Sequence, residues 1–178
     1  MQIRRIVTGH DANGNSVFVS DGAAPRSVSF KHVPGLAAAL LWETSAGATL
    51  TSCEDPSLSA TSWVPKKGAS SFMLVTFPPD SVMMSTDFDP AEAGAEYAQL
   101  LPGLAEHFEP HNPGMHVTDT VDYMMLLEGE LHLELDGGVA KKLVPFDVVV
   151  QNGTRHAWRN RSNSSATALF VLVGATRA

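Results

Sequence analysis

His116, Thr118 and Asp122 share one parity in the sequence, and so do His156, Trp158 and Asn160. Side chains at i and i+2 of a strand point to the same face. If the two segments are neighbouring strands, two imidazoles and one carboxylate converge. That set suits one divalent metal ion, Fe(II), Mn(II), Ni(II) or Zn(II), with positions left open for substrate. Seven His stand against one Cys, so metal or acid–base chemistry is sought among the imidazoles. Cys53 alone cannot form an internal disulfide or a Cys-rich zinc site, which fits a reducing cytoplasm. His10, His32, His107, His111 and His132 read as surface or packing residues. His107 or His111 facing the pocket is the lesser alternative.

The elements that must position these residues are mostly strands. The chain has 178 residues, 17% charged, with 14 Gly and 11 Pro, which predicts one domain of short strands and turns. Ile3 to Val7 and Val17 to Val19 read as a hairpin around Asn13-Gly14. Phe30 to Val33 reads as a short strand ended by Pro34-Gly35. Leu36 to Glu43 leans to strand, Thr49 to Ser62 to loop, and Ser71 to Phe77 to a buried strand. Asp89 to Phe108 is the helical stretch. Asp89 stands at the N-cap, Pro90 at N1 and Glu92 three residues on, an Asp variant of the capping box; Pro102-Gly103 breaks the helix, and Leu104 to Phe108 reads as one further turn. From His116 onward the pattern is strands: Val121–Leu127, Leu131–Leu135, Lys142–Val144, Phe146–Gln151, Arg155–Asn160 and Thr167–Val173.

The net charge of −7 argues against nucleic acid and against an anionic membrane surface, both of which need basic patches. No apolar run approaches the roughly 20 residues of a membrane span, and no apolar segment follows Arg4 and Arg5 as a signal peptide requires.

The spacing His116-x-Thr118, Asp122, Gly129, followed by Gly153, His156, Asn160, resembles the two motifs of the cupin superfamily. The run Leu143-Val144-Pro145-Phe146-Asp147 resembles the cupin Pro-Gly-Asp turn, with Phe146 in place of Gly. The resemblance covers residues 71–173. It implies an all-β fold, the double-stranded β-helix or jelly-roll barrel. Residues 1–178 then form a single cupin domain, with N-terminal strands and loop over 1–70 and a helical insert over 87–110. Two departures stand out. Thr118 replaces the second His of the first motif, and Asp122 replaces the usual Glu with a shorter side chain. Asp119 has the opposite parity, and only a local bulge would turn it inward.

The resemblance implies a metalloenzyme acting on a small, partly apolar molecule, with His116, Asp122 and His156 as metal and catalytic residues. Lyase, isomerase, cyclase or dioxygenase chemistry would suit such an ion. Thr118, Met83, Phe88, Met115 and Trp158 are expected to line the substrate pocket beneath the insert, with Met84, His107 and Phe108 as further candidates. Asn160 reads as a structural tie, and Arg155 and Arg159 as solvated charges. The N-terminal strands are expected to build a homodimer, as is common among similar cupins. Two alternatives stay open: a metal-free acid–base enzyme in which Asp122 orients a histidine base, and a non-catalytic small-molecule-binding cupin.

Overall fold

A computed structural model describes residues 2–50 and 54–177; Cys53 lies outside them. The chain opens with an antiparallel hairpin, β1 (Arg4–His10) and β2 (Ser16–Ala23). Its turn is set by Asp11, whose Oδ1 accepts the N–H groups of Asn13 and Asn15, and by Gly14 at φ 82°. The next strand, β3, is Arg26–Ser29 and not Phe30–Val33. Pro34 and Gly35, at φ 90°, reverse the chain so early that Phe30 already closes the loop by donating its N–H to Leu36 O at 3.0 Å. Phe30 and Val33 are buried in the core instead. Strand β4 is Ala37–Thr44. It is apolar on both faces because both are covered: Ala38 and Leu40 face the main core, while Ala39 and Leu41 pack with Ile3 and Ala24.

Strand β5 (Ser70–Phe77) leads to helix α1 (Pro90–Leu100). Asp89 caps the helix, its Oδ1 accepting from Ala91 N at 2.8 Å and Glu92 N at 3.2 Å. The capping box is not completed, because the Glu92 carboxylate stands 3.8 Å from His32 Nε2. The helix stops at Leu100, ahead of the expected Pro102-Gly103 break, and the further turn expected over Leu104 to Phe108 is the single 3₁₀ turn Ala105–His107.

The rest is β6 (Thr120–Glu128), β7 (Leu131–Glu134), β8 (Ala140–Leu143), β9 (Val148–Asn152), β10 (Ala157–Arg159) and β11 (Ala166–Gly174). Gly129 turns β6 into β7 at φ 81°; a Cβ there would meet Ser165 O at 2.6 Å, so no other residue fits. Strand β9 starts two residues later than the sequence suggests, because Phe146 sits in the turn at φ 74°. Strand β10 is likewise shorter than Arg155–Asn160.

Two antiparallel layers result. One runs β3-β4-β5-β11-β6-β9 and the other β10-β7-β8. The second is extended by bridges from His156 to His116 and from His116 to Phe108. The last strand, β11, returns to lie between β5 and β6, and the two antiparallel layers face each other as in a double-stranded β-helix or jelly-roll barrel. The core lies between the layers and continues under α1 through Tyr97, Leu100 and Leu101. Among the described residues no helix is long and apolar enough to cross a membrane.

Candidate functional site

His116 and His156 come together through their backbones. His116 N–H donates to His156 O at 2.9 Å, and His156 N–H donates to His116 O at 3.0 Å. Residues paired directly across an antiparallel bridge carry side chains to the same face. The two imidazole centroids lie 4.2 Å apart. Each ring is pinned from behind in the same way. His116 Nδ1 is 3.0 Å from Gly114 O, and His156 Nδ1 is 2.9 Å from Thr154 O. A carbonyl only accepts, so each Nδ1 carries the proton and each Nε2 keeps a free lone pair.

Burial holds both rings neutral. It pushes His116 down to about 4, helped by the neighbouring His156, and it lowers His156 as well. Gly114, which supplies one of the carbonyls, adopts φ 79°.

Asp122 is carried by β6, between Leu172 of β11 and Gln151 of β9. Its parity points inward, as does that of buried Thr118, whose hydroxyl is 2.8 Å from that of Thr120. Burial raises the Asp122 carboxyl to about 6, against the Thr120 hydroxyl, which lowers it. Its Oδ1 is shut off from solvent and has no hydrogen-bond partner among the described residues. Neither histidine is oriented by this carboxylate; the two backbone carbonyls do that work.

A cavity of about 590 Å³ opens in front of the pair. Its wall includes His116, His156, Asp122 and Thr118 from the barrel, and Met83 and Phe88 from the insert. Trp158 also lines it, edge-on to His156 with centroids 5.6 Å apart. Met115 was expected there and is absent. It is buried, but its parity is opposite to that of His116, so the side chain leaves by the other face. Met84 is exposed, and neither it nor His107 reaches the wall.

The sequence reading missed Tyr97 and Phe30. They join a chain of ring contacts that runs Phe30–Tyr97–Phe108–His116–His156–Trp158–Phe170. Tyr97 lies seven residues after Pro90, two turns along α1, a spacing that could have shown it on the covered face.

Other expectations also change. Arg155 is not a free charge: it donates to Glu109 at 2.6 Å and to Asp136 at 2.7 Å, clamping the end of the insert to the barrel. Its guanidinium holds the Glu109 carboxyl well below the usual carboxylate range. Arg159 lines the cavity but is taken by Glu134 and by Pro113 O. Asp119 does not turn inward; it pairs with Arg177 at the surface. Asn160, by contrast, is the structural tie expected, donating to Phe77 O and Ser164 O and accepting from Ser162.

The pair fits a metal in its chemistry: two neutral imidazoles, each with Nδ1–H anchored and Nε2 free, are the usual arrangement of ligating histidines. The third side of the site is less closed. Among the described residues, no three His, Cys, Asp or Glu side chains are gathered closely enough to hold one ion.

No family model matches the chain. The chain is similar to oryzines biosynthesis cluster protein J of Aspergillus oryzae, 37% identical over 103 residues, 57% of this chain and 50% of that protein. It is 45% identical over 62 residues to phomopsin biosynthesis cluster protein C′ of Diaporthe leptostromiformis, 34% of this chain and 33% of that one. The chain thus spans half or less of the length of these relatives. A cupin-domain-containing oxidoreductase of Neurospora crassa is 29% identical over 171 residues, 95% of this chain and 72% of that protein.

Among solved structures, a Cupin 2 conserved barrel domain protein from Salinispora arenicola is 15% identical, with TM-score 0.38 over 60% of this chain and 64% of that one. An RmlC-like cupin with a double-stranded β-helix fold from Methanocaldococcus jannaschii is 8% identical, with TM-score 0.38 over 59% and 70%.

Proposed function

We propose, from this cupin-type barrel, that the chain is an enzyme of small-molecule biosynthesis that binds a partly apolar substrate in front of His116 and His156. The observation that carries the reading is the pair itself. Two buried, neutral imidazoles present free Nε2 atoms to a largely apolar cavity. Relatives named for biosynthesis clusters and for oxidoreductase activity support the class of enzyme.

The same pair would hold one divalent metal, Fe, Mn, Ni or Zn, through the two Nε2 atoms. Such an ion would supply Lewis-acid polarisation of a bound oxygen, or oxygen chemistry if it is iron. The chain's own residues do the rest. The Gly114 and Thr154 carbonyls keep both lone pairs aimed forward. Phe108, Tyr97 and Trp158 exclude water and seat a flat apolar body. Asp122, with its carboxyl near 6, takes or returns a proton at neutral pH. It stands on the cavity wall as an acid–base group, and would be the third ligand if an ion were held by the two histidines. The single cysteine supports a reducing cytoplasmic setting.

Elemental analysis of the purified protein, beside His116→Ala and His156→Ala, tests the metal. Near-stoichiometric metal in the parent and its loss in both variants is the expected result. Equal traces in all three would overturn it. Mass spectrometry of small molecules released on denaturation tests the substrate class, with an apolar compound expected.

A further inference from the structure

Tyr97 sits in a row of rings, and its oxygen has no partner there. The ring packs on Phe30, with centroids 4.9 Å apart, and on Phe108 at 5.6 Å. Phe108 in turn stands 4.8 Å from the His116 ring. Phenylalanine at 97 would pack as well, since both of these neighbours are phenylalanines. Among the described residues nothing hydrogen-bonds the Tyr97 hydroxyl. A buried hydroxyl without a partner costs free energy, so its retention calls for one from outside the fold.

The cavity is where that partner can enter. Tyr97 lines it, from the face of α1 that also carries Ala93 and Leu101. Trp63 Nε1, on the same wall, is unpartnered but sealed from solvent; the Tyr97 oxygen is not among the sealed atoms. Burial, and then the Glu96 carboxylate, push the phenol up from its ordinary value, so it stays an O–H donor at neutral pH.

The charges on the wall select against an anion. Asp80, Glu106, Glu109 and Asp122 line it. Among its described residues the only Lys or Arg is Arg159, and Glu134 answers that charge. A carboxylate or phosphate brought to Tyr97 would leave water with no free cation to receive it. A neutral carbonyl oxygen needs only the one donor.

We propose that Tyr97 is a specificity-determining residue, and that the substrate is an uncharged, flat aromatic molecule with oxygen at both ends. A hydroxyl at one end donates to the free Nε2 pair of His116 and His156. A carbonyl at the other accepts from the Tyr97 hydroxyl, and the rings between them lie along Phe108. The inference rests on the reading of this cavity as the substrate site and does not depend on the metal.

Binding of three naphthols to the metal-free full chain, followed by quenching of tryptophan fluorescence, tests this. They carry acetyl, ethyl or carboxylate on the ring remote from the hydroxyl. The parent should bind the acetyl compound at least about fivefold tighter than the ethyl one, the yield of one net hydrogen bond, and the carboxylate least. Tyr97→Phe should erase the acetyl preference, leave ethyl binding as in the parent and keep the melting temperature of the ligand-free chain. Phe30→Leu, which loosens the packing but keeps the hydroxyl, should weaken acetyl and ethyl binding alike. An acetyl preference that survives Tyr97→Phe overturns the proposal, as does a parent that prefers the carboxylate or binds none of the three. A lower melting temperature in Tyr97→Phe would show a hydroxyl already paired within the fold and equally overturn it. Unchanged affinity in both His116→Ala and His156→Ala, with the acetyl preference intact, would overturn the histidine pair as the substrate's other contact, and with it the proposed function, while the Tyr97 contact stands.

Discussion

His116 and His156 exchange both backbone hydrogen bonds across one antiparallel bridge, and their rings stand 4.2 Å apart with each Nδ1 on a carbonyl two residues upstream. Strand geometry therefore sets the spacing of the two imidazoles, and neither needs an acidic partner to orient it. The chemistry of the cavity follows from that arrangement.

Both imidazoles should resist protonation. A folded-state value below the unfolded one means that the unfolded chain binds the proton more readily. The stability that depends on neutral His116 is complete above about pH 6.5 and is lost as pH falls toward 4, and that from His156 is likewise lost as pH falls below the ordinary imidazole value. In metal-free protein, the ring resonances of His116 should stay fixed from pH 8 to 6 by NMR, and those of His156 should titrate below the ordinary imidazole value. A His116 midpoint at 6.5 or above would contradict the burial argument.

Asp122 has the opposite sign of effect. Its folded value near 6 lies above the unfolded one, so the folded state holds the proton more tightly. Stability from this residue is full below about pH 4 and falls as pH rises through 6. Asp122→Asn should therefore gain roughly 1–2 kcal/mol in metal-free protein at pH 8, and the gain should vanish by pH 4. Urea unfolding at the two pH values measures it. A variant less stable at both would show that the carboxylate has a stabilising partner beyond the Thr120 hydroxyl.

Asn160 joins Phe77 O, Ser164 O and Ser162 while its own N–H donates to Asp80. Asn160→Ala leaves buried carbonyls unpaired and should cost roughly 2–4 kcal/mol. The loss should appear in the unfolding midpoint, with metal content per folded chain unchanged.

The cavity can be closed without touching the histidines. Ala38 of β4 is buried on the cavity wall. Ala38→Phe should fill space and weaken binding of the apolar dye ANS at least about fivefold, while metal uptake persists. Equal dye binding would place the apolar site elsewhere.

The sequence made strand parity legible, and with it the inward faces of His116, Asp122 and His156. Local signals with a short range also read true: the Asn13-Gly14 turn, the Asp89 cap and the break at Pro102-Gly103. What failed depended on tertiary cover. Phe30 to Val33 looked like a strand because it is apolar, but it is a loop plugged into the core. Met115 was placed in the pocket by proximity to His116, although adjacent strand residues point to opposite faces. Arg155 and Arg159 looked solvated because Glu109, Asp136 and Glu134, which bind them, lie 19 or more residues away in sequence.

Titration of metal-free protein with Co(II), followed by visible absorption, tests the central claim most directly. One Co(II) per chain should bind, with a spectrum of nitrogen ligation. His116→Ala and His156→Ala should each weaken binding by at least about a hundredfold, while His132→Ala should bind as the parent does. Undiminished Co(II) binding in both single variants would contradict the account.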